Sequence, residues 1–188
     1  MKDNANFAGI YVNKINQVGR TELLKEAKAK YNSCNSDDWA KIYFDEFSGG
    51  FNVYHKDHKF STIGSGGDAE MTVGIMLAKY NGKQVEFLPE SSYQKSPDIR
   101  FDNQTWDVKF IDNANENTIR TYIKNARKAD NAIFYFTEKS KLVFLNNAIE
   151  REVGKFLKGQ TNKIPDIFYM DKNGILKPLW RNKKGLNE

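Results

Sequence analysis

Apolar residues along this chain recur at either helical or strand spacing, and the switches between the two periods mark its elements. Thr21 precedes an alanine-rich run to Tyr31 in which Leu24, Ala27 and Tyr31 share one side, which predicts a helix. Ser36-Asp37-Asp38 opens a second expected helix over 39–47, carried by Trp39, Ile42, Tyr43 and Phe47. Gly49-Gly50 ends it, and Phe51-Asn52-Val53-Tyr54-His55 has strand character. Over 68–80 the stripe Ala69, Val73, Met76, Leu77 and Tyr80 predicts the clearest helix, closed by Asn81-Gly82. Residues 84–90 read as a strand. A helix over 116–129 buries Ile119, Tyr122, Ile123 and Ala126, and the nearly continuous apolar run 131–137 is a strand covered on both faces. Residues 141–145 fit either a strand or a helix start. Asn146 or Asn147 caps a helix through Ile149, Val153, Phe156 and Leu157 that stops at Gly159. Residues 164–170 and 175–180 form a hairpin around Asp171-Lys172-Asn173-Gly174.

The stretch 97–111 carries the most chemical information. It reads as two short strands joined by a two-residue Asp102-Asn103 turn, so Phe101 faces Gln104, Ile99 faces Trp106 and Asp98 faces Asp107. Side chains alternate between strand faces, so Ile99, Phe101, Trp106, Val108 and Phe110 form one apolar face that must be buried. The other face holds Asp98, Arg100, Thr105, Asp107 and Lys109. Two carboxylates directly opposed cost roughly 0.2–1 kcal/mol. A divalent cation or a shared proton between them turns that cost into a use.

Composition narrows the partners. The 188 residues suffice for one substantial core, and 39% apolar with 28% charged residues is a globular balance. A net charge of +5 and a pI near 9.1 favour a polyanionic partner. Cys34 stands alone, which excludes an intramolecular disulfide and a cysteine-rich zinc site. No stretch approaches the roughly 20 apolar residues of a membrane-spanning helix, so no membrane partner is expected. Met1-Lys2-Asp3-Asn4-Ala5-Asn6 lacks the apolar core of a signal peptide, and the expected working compartment is the reducing cytoplasm. Delivery as part of a larger exported protein is compatible with that.

Four further features bear on chemistry. His55-Lys56-Asp57-His58-Lys59 holds both histidines; it reads as a charged turn rather than a metal pair, with an acid–base or phosphate role open for either ring. The glycine-rich residues 61–67 match neither the P-loop nor the dinucleotide spacing. Glu70 lies in the first turn of the 68–80 helix, where an acid also suits the helix dipole. Arg120, Lys124, Arg127 and Lys128 line one helix face without an acid among them, a pattern that invites a phosphate backbone; Lys59 and Arg100 join this nucleic-acid-binding set.

Pro97-Asp98, then Asp107-Val108-Lys109, with Glu70 on the preceding helix, resembles the PD-(D/E)xK nuclease pattern. That resemblance implies an α+β fold with a helix-strand-strand-strand-helix-strand core and a central mixed or antiparallel sheet. It makes Glu70, Asp98 and Asp107 ligands of a divalent cation, usually magnesium, with Lys109 positioning or activating the attacking water. A second resemblance spans Gly66-Gly67-Asp68-Ala69-Glu70, Leu77-Ala78, Phe87-Leu88-Pro89-Glu90, Lys95-Ser96-Pro97-Asp98 and Trp106-Asp107-Val108-Lys109. These, with a helix leading into Ala132-Ile133-Phe134-Tyr135-Phe136, are similar to the nuclease C-terminal toxin domains of contact-dependent inhibition and other polymorphic toxins. Many such domains have the barnase–EndoU–colicin–RelE fold and cut RNA, often tRNA, without metal. On that alternative Lys109, His55 or His58, and a hydroxyl such as Thr118 serve as acid, base and phosphate binder, with Asp98 and Asp107 positioning them. An immunity protein is then implied as a partner. The resulting expectation is an endonuclease over 49–188 with a helical N-terminal extension over 1–48. A non-catalytic nucleic-acid- or partner-binding domain is the third reading.

Overall fold

The computed structural model describes residues 17–60, 67–91 and 96–182. The glycine-rich loop expected over 61–66, Lys95 of the toxin-like motif and the basic tail from 183 onward lie outside the described residues. The elements are α1 (Gln17–Ser33), β1 (Trp39–Phe44), β2 (Phe51–His55), α2 (Gly67–Asn81), β3 (Gln84–Phe87), β4 (Ile99–Phe101) and β5 (Gln104–Phe110). Then follow α3 (Glu116–Asn125), a 3-10 turn (Ala126–Lys128), β6 (Asn131–Tyr135), α4 (Lys141–Leu157), β7 (Asp166–Met170) and β8 (Leu176–Trp180).

All eight strands form one sheet in sequence order. Hairpins make β1–β2, β4–β5 and β7–β8 antiparallel, and β3 also runs antiparallel to β4. The helices α2, α3 and α4 are the crossovers that leave β2–β3, β5–β6 and β6–β7 parallel. The expected α+β class with a mixed sheet is the fold observed, and α2-β3-β4-β5-α3-β6 has the predicted order.

Strand alternation divides the core in two. On one face α2 packs Ala69, Val73, Leu77 and Ala78 against Val85, Phe87, Ile99, Phe101, Trp106 and Val108. On the other, α3 and α4 bring Ile119, Ile123, Leu145, Ala148 and Ile149 onto Ala132, Phe134 and Ile167. β6 contributes to both clusters, which is why its five residues are all buried.

Two local expectations are corrected. Residues 39–44 form β1 rather than a helix: Trp39 pairs with His55 and Phe44 with Phe51. Trp-Ala-Lys-Ile-Tyr-Phe is rich in strand-favouring side chains, and six residues are too few for periodicity to decide. A bulge between Lys41 and Tyr43 changes the alternation and so imitates helical spacing. Residues 17–48 thus supply both a helix and a strand, and the strand belongs to the common sheet. Residues 141–145, which fit either a strand or a helix start, are the first turns of α4, so Asn146 and Asn147 lie inside that helix and do not cap it. The Asp102-Asn103 turn and its register hold: both residues take positive φ, 53° and 60°, and Ile99 pairs with Trp106.

Gly74 sets how closely α2 approaches the sheet. A Cβ there would lie 2.4 Å from Cζ of Phe87, whose ring is fully buried and has nowhere to move. Gly74→Ala is expected to destabilise the fold by roughly 1–3 kcal/mol in urea denaturation; an unchanged midpoint would contradict this packing.

Candidate active site

The β4–β5 hairpin buries its apolar face under α2, which turns Asp98, Asp107 and Lys109 toward the face covered by α3 and α4. Asp98 lies one residue before the Ile99–Trp106 pair, and its N–H donates to Trp106 O at 3.0 Å. Its side chain folds back across the hairpin, where Oδ2 accepts the Val108 N–H at 2.7 Å. The fourth member arrives from the crossover. Ile119, Ile123 and Ala126 anchor α3 in the core, and the chain must then enter β6 with Asn131 level with Trp106. The 3-10 turn between them therefore delivers Lys128 beside β5.

Asp107 is completely buried, and its Oδ1 and Oδ2 lie 2.7 Å from Lys128 Nζ and 2.7 Å from Lys109 Nζ. Asp98 Oδ1 lies 3.0 Å from Lys128 Nζ, and its Oδ2 is 3.5 Å from Lys109 Nζ. Lys109 Nζ also donates to Val108 O at 3.0 Å. The cluster is formally neutral, two carboxylates against two ammoniums, which is what makes its burial tolerable. The two acids are driven apart. Burial and the neighbouring Asp98 charge push Asp107 above the ordinary carboxylate range, against the pull of both lysines. Burial opposes ionisation of Asp98 too, but Lys109, Lys128 and the Val108 N–H prevail and hold it below its usual value. Lys128 is disfavoured by burial and nonetheless raised by the two aspartates.

Not every expected site residue joins this cluster. Glu70 stands on α2, on the opposite side of the sheet, with its Oε2 3.5 Å from Nε2 of buried His58. Among the described residues no three acidic, histidine or cysteine groups converge as a metal cage, so the triad Glu70, Asp98 and Asp107 is not assembled. The His58 ring also bonds Leu88 O through Nδ1 at 2.7 Å. His55 packs edge-on against Trp39 and lies 3.7 Å from Asp57 Oδ2, apart from His58's partners. Thr118 is part of the α3 cap: its N–H and Oγ1 both donate to Asn115 Oδ1.

The basic helix face needs the largest correction. Arg120 and Arg127 are paired with Glu152 of α4, a fully buried carboxylate that Lys155 also contacts. Burial raises the Glu152 pKa, but its bonds to Lys155 and Arg120 win and leave it lowered. Lys128 turns to the aspartates. The compensating acids stand 21 to 32 positions away in sequence, so a helical-face count does not see them. Arg100 pairs with Glu86 on β3, while Lys59 and Lys124 are exposed. Helical spacing assigns Lys128 to phosphate binding; its place within the aspartate pair is the feature that spacing misses.

With this geometry, the comparison with known families is specific. Residues 95–176 match the family model of the contact-dependent growth inhibition CdiA C-terminal domain. The matched stretch contains Asp98, Asp107, Lys109 and Lys128, and leaves out Glu70 and both histidines. The similarity to a contact-dependent inhibition toxin domain therefore falls on the segment that builds the buried cluster. No curated protein and no solved structure matches the chain.

Two titrations follow from this arrangement. In carbon-detected NMR the Asp107 carboxyl should titrate above 3.8, and Asp98→Asn should move it down by removing the adjacent charge; a value at or below 3.8 in the parent protein contradicts the assignment. His58 is pushed down by burial, yet its Glu70 and Leu88 contacts leave it raised above 6.5. Its contribution to stability is then full below pH 6.5 and lost as pH rises through the folded-state value. Melting temperature should fall across that window in the parent protein, and Glu70→Gln should flatten the fall.

Proposed function

We propose that this protein is a toxin-type nuclease that hydrolyses phosphodiester bonds of nucleic acid at the Asp98–Asp107–Lys109–Lys128 cluster. The observation that carries the reading is the fully buried Asp107 carboxylate beside the half-buried Asp98, both contacted by the same two half-buried ammoniums, inside the segment similar to a contact-dependent inhibition toxin domain. Two acids side by side on one hairpin face repel each other, a cost that a bound cation would offset. The αβββαβ order, the basic net charge and the pairing of acids whose pKa values are driven in opposite directions support the same reading.

The donor set fits a divalent cation without Glu70. Magnesium is commonly held by one or two carboxylates, with water and substrate phosphate completing its shell. Asp98 and Asp107 would hold it, since the contacts of their oxygens are chiefly exchangeable ammoniums. When bound, such an ion polarises a phosphoryl oxygen and acidifies a bound water. Asp98, held ionised, anchors the site. Lys109 and Lys128 supply positive charge for the phosphate oxygens as negative charge builds on them during attack. Water adds to phosphorus and gives up a proton, the P–O bond to the leaving sugar oxygen breaks, and that oxygen takes up a proton.

The metal-independent arrangement of Lys109, a histidine and Thr118 draws no such support. His58 is engaged with Glu70 and Leu88, and Thr118 with Asn115. As the similarity is to a toxin segment, we infer release from a larger exported protein and neutralisation by a dedicated immunity protein.

Purified protein incubated with total tRNA and with plasmid DNA, in magnesium and in EDTA, tests the reading. Cleavage should require magnesium. Asp98→Asn, Asp107→Asn and Lys128→Ala should each lower it by roughly a hundredfold or more while circular dichroism stays unchanged. Activity should also fall as pH drops through the raised Asp107 value, because that carboxylate must be ionised to hold a cation. Cleavage undiminished in EDTA would overturn the metal assignment. Absence of cleavage of either substrate would leave a binding domain.

A further inference from the structure

Three adjacent strands turn polar side chains toward the face that carries the aspartates. β3 contributes Gln84 and Glu86, and β4 contributes Arg100 beyond Asp98. Thr105 of β5 faces Arg100 across the ladder, on the same side as Asp107 and Lys109. Apolar rows flank this band. On one side Phe51 of β2 lies under α1, where Tyr31 packs on the Phe44 and Phe51 rings. On the other, Ala132 and Phe134 lie under α3 and α4. The helices therefore cover the two ends of this face and leave its polar middle as a trough.

A cleft of about 440 Å³ opens along that trough, lined by Lys30, Lys83, Gln84, Glu86, Arg100 and Phe101 among others. Within it Glu86 holds two side chains in fixed positions. Gln84 Nε2 donates to its Oε1 at 2.9 Å, and Arg100 NH1 donates to its Oε2 at 2.9 Å. Arg100 is half exposed at 50%, and NH1 is the guanidinium nitrogen that bonds Glu86. Asp98, just before β4, and Arg100 within it are two residues apart on one face of the extended chain, about 6.6 Å by strand rise. The cleft thus begins next to the proposed scissile position.

We propose that this cleft is a specificity subsite for the base of one nucleotide flanking the scissile phosphate, in a single-stranded or looped region of the substrate. Arginine and glutamine are the side chains that read base edges through paired hydrogen bonds, and unstacked bases present those edges freely. The volume is within the range of small-ligand pockets. Lys30 at the rim supplies charge for the adjoining phosphates, while Lys83 is paired with Asp102 of the turn, Nζ to Oδ1 at 2.7 Å. Glu86 is a positioning residue, acting through Gln84 and Arg100. The inference rests on the nuclease reading for its substrate class.

The test is digestion of randomised single-stranded RNA and DNA by the full chain, with sequencing of the cut ends, for the parent protein and for Gln84→Ala, Arg100→Gln and Lys30→Ala. The parent should prefer particular bases at one flanking position. Gln84→Ala and Arg100→Gln should reduce that preference by roughly tenfold to a hundredfold, and Lys30→Ala should weaken KM without changing the preference. Cleavage with the same preference in all variants would overturn the subsite and leave the nuclease reading standing. If the parent cuts nothing, a labelled oligonucleotide separates the remaining outcomes. Binding weakened by Arg100→Gln would retain the cleft as a nucleotide site and end the nuclease reading, whereas no binding would end both.

Discussion

Asp107 has no contact with solvent, and its charge is balanced by one lysine from its own strand and one from the following crossover. An isolated carboxylate in that position would cost many kcal/mol or take up a proton. The cluster therefore ties the β4–β5 hairpin to the end of α3. It holds only while Lys128 is delivered by the parallel entry into β6. Burial, charge balance and the crossover are a single constraint, and the site depends on all three.

That constraint also explains the asymmetry of the sheet. The α2 face is continuous hydrocarbon from β3 across to β7, with Gly74 letting the helix sit close to Phe87. The opposite face has two apolar ends and a polar centre, because the three central strands place Gln84, Glu86, Asp98, Arg100 and Asp107 there. The buried Glu152, with Arg120, Arg127 and Lys155 around it, has a different role from the aspartate cluster. It joins α3 to α4, and it shows that a basic helix face can be consumed internally rather than presented to a partner.

Much of the candidate site is legible in the order of residues alone. A two-residue turn fixes hairpin register by counting, so the Ile99–Trp106 pairing and the placing of Asp98 and Asp107 on one face follow from Asp102-Asn103 and the alternation of Ile99, Phe101, Trp106 and Val108. Three features are not legible in that way. Residues 39–44 have helical apolar spacing only because a bulge breaks their alternation, and pairing with β2 decides the outcome. Glu70 has the right place in the motif order, but α2 lies across the sheet from the aspartates and gives it to His58. Lys128 reads as one cation among four, and only the turn after α3 distinguishes it.

The order of residues carries whatever short-range physics controls. It specified the helix and strand periods, the turn with its positive-φ residues, the two faces of the hairpin and the cationic balance of the chain. Tertiary structure decided which charges meet. Arg120 finding Glu152, Lys128 finding Asp98 and Asp107, and Arg100 finding Glu86 all depend on crossovers and strand pairings that bring together residues far apart in the chain. Ion pairs between elements carry no local spacing, because their energy depends on distance and burial in three dimensions. For that reason the acids are predictable as a pair, while the cations that complete their site become visible only when the sheet closes.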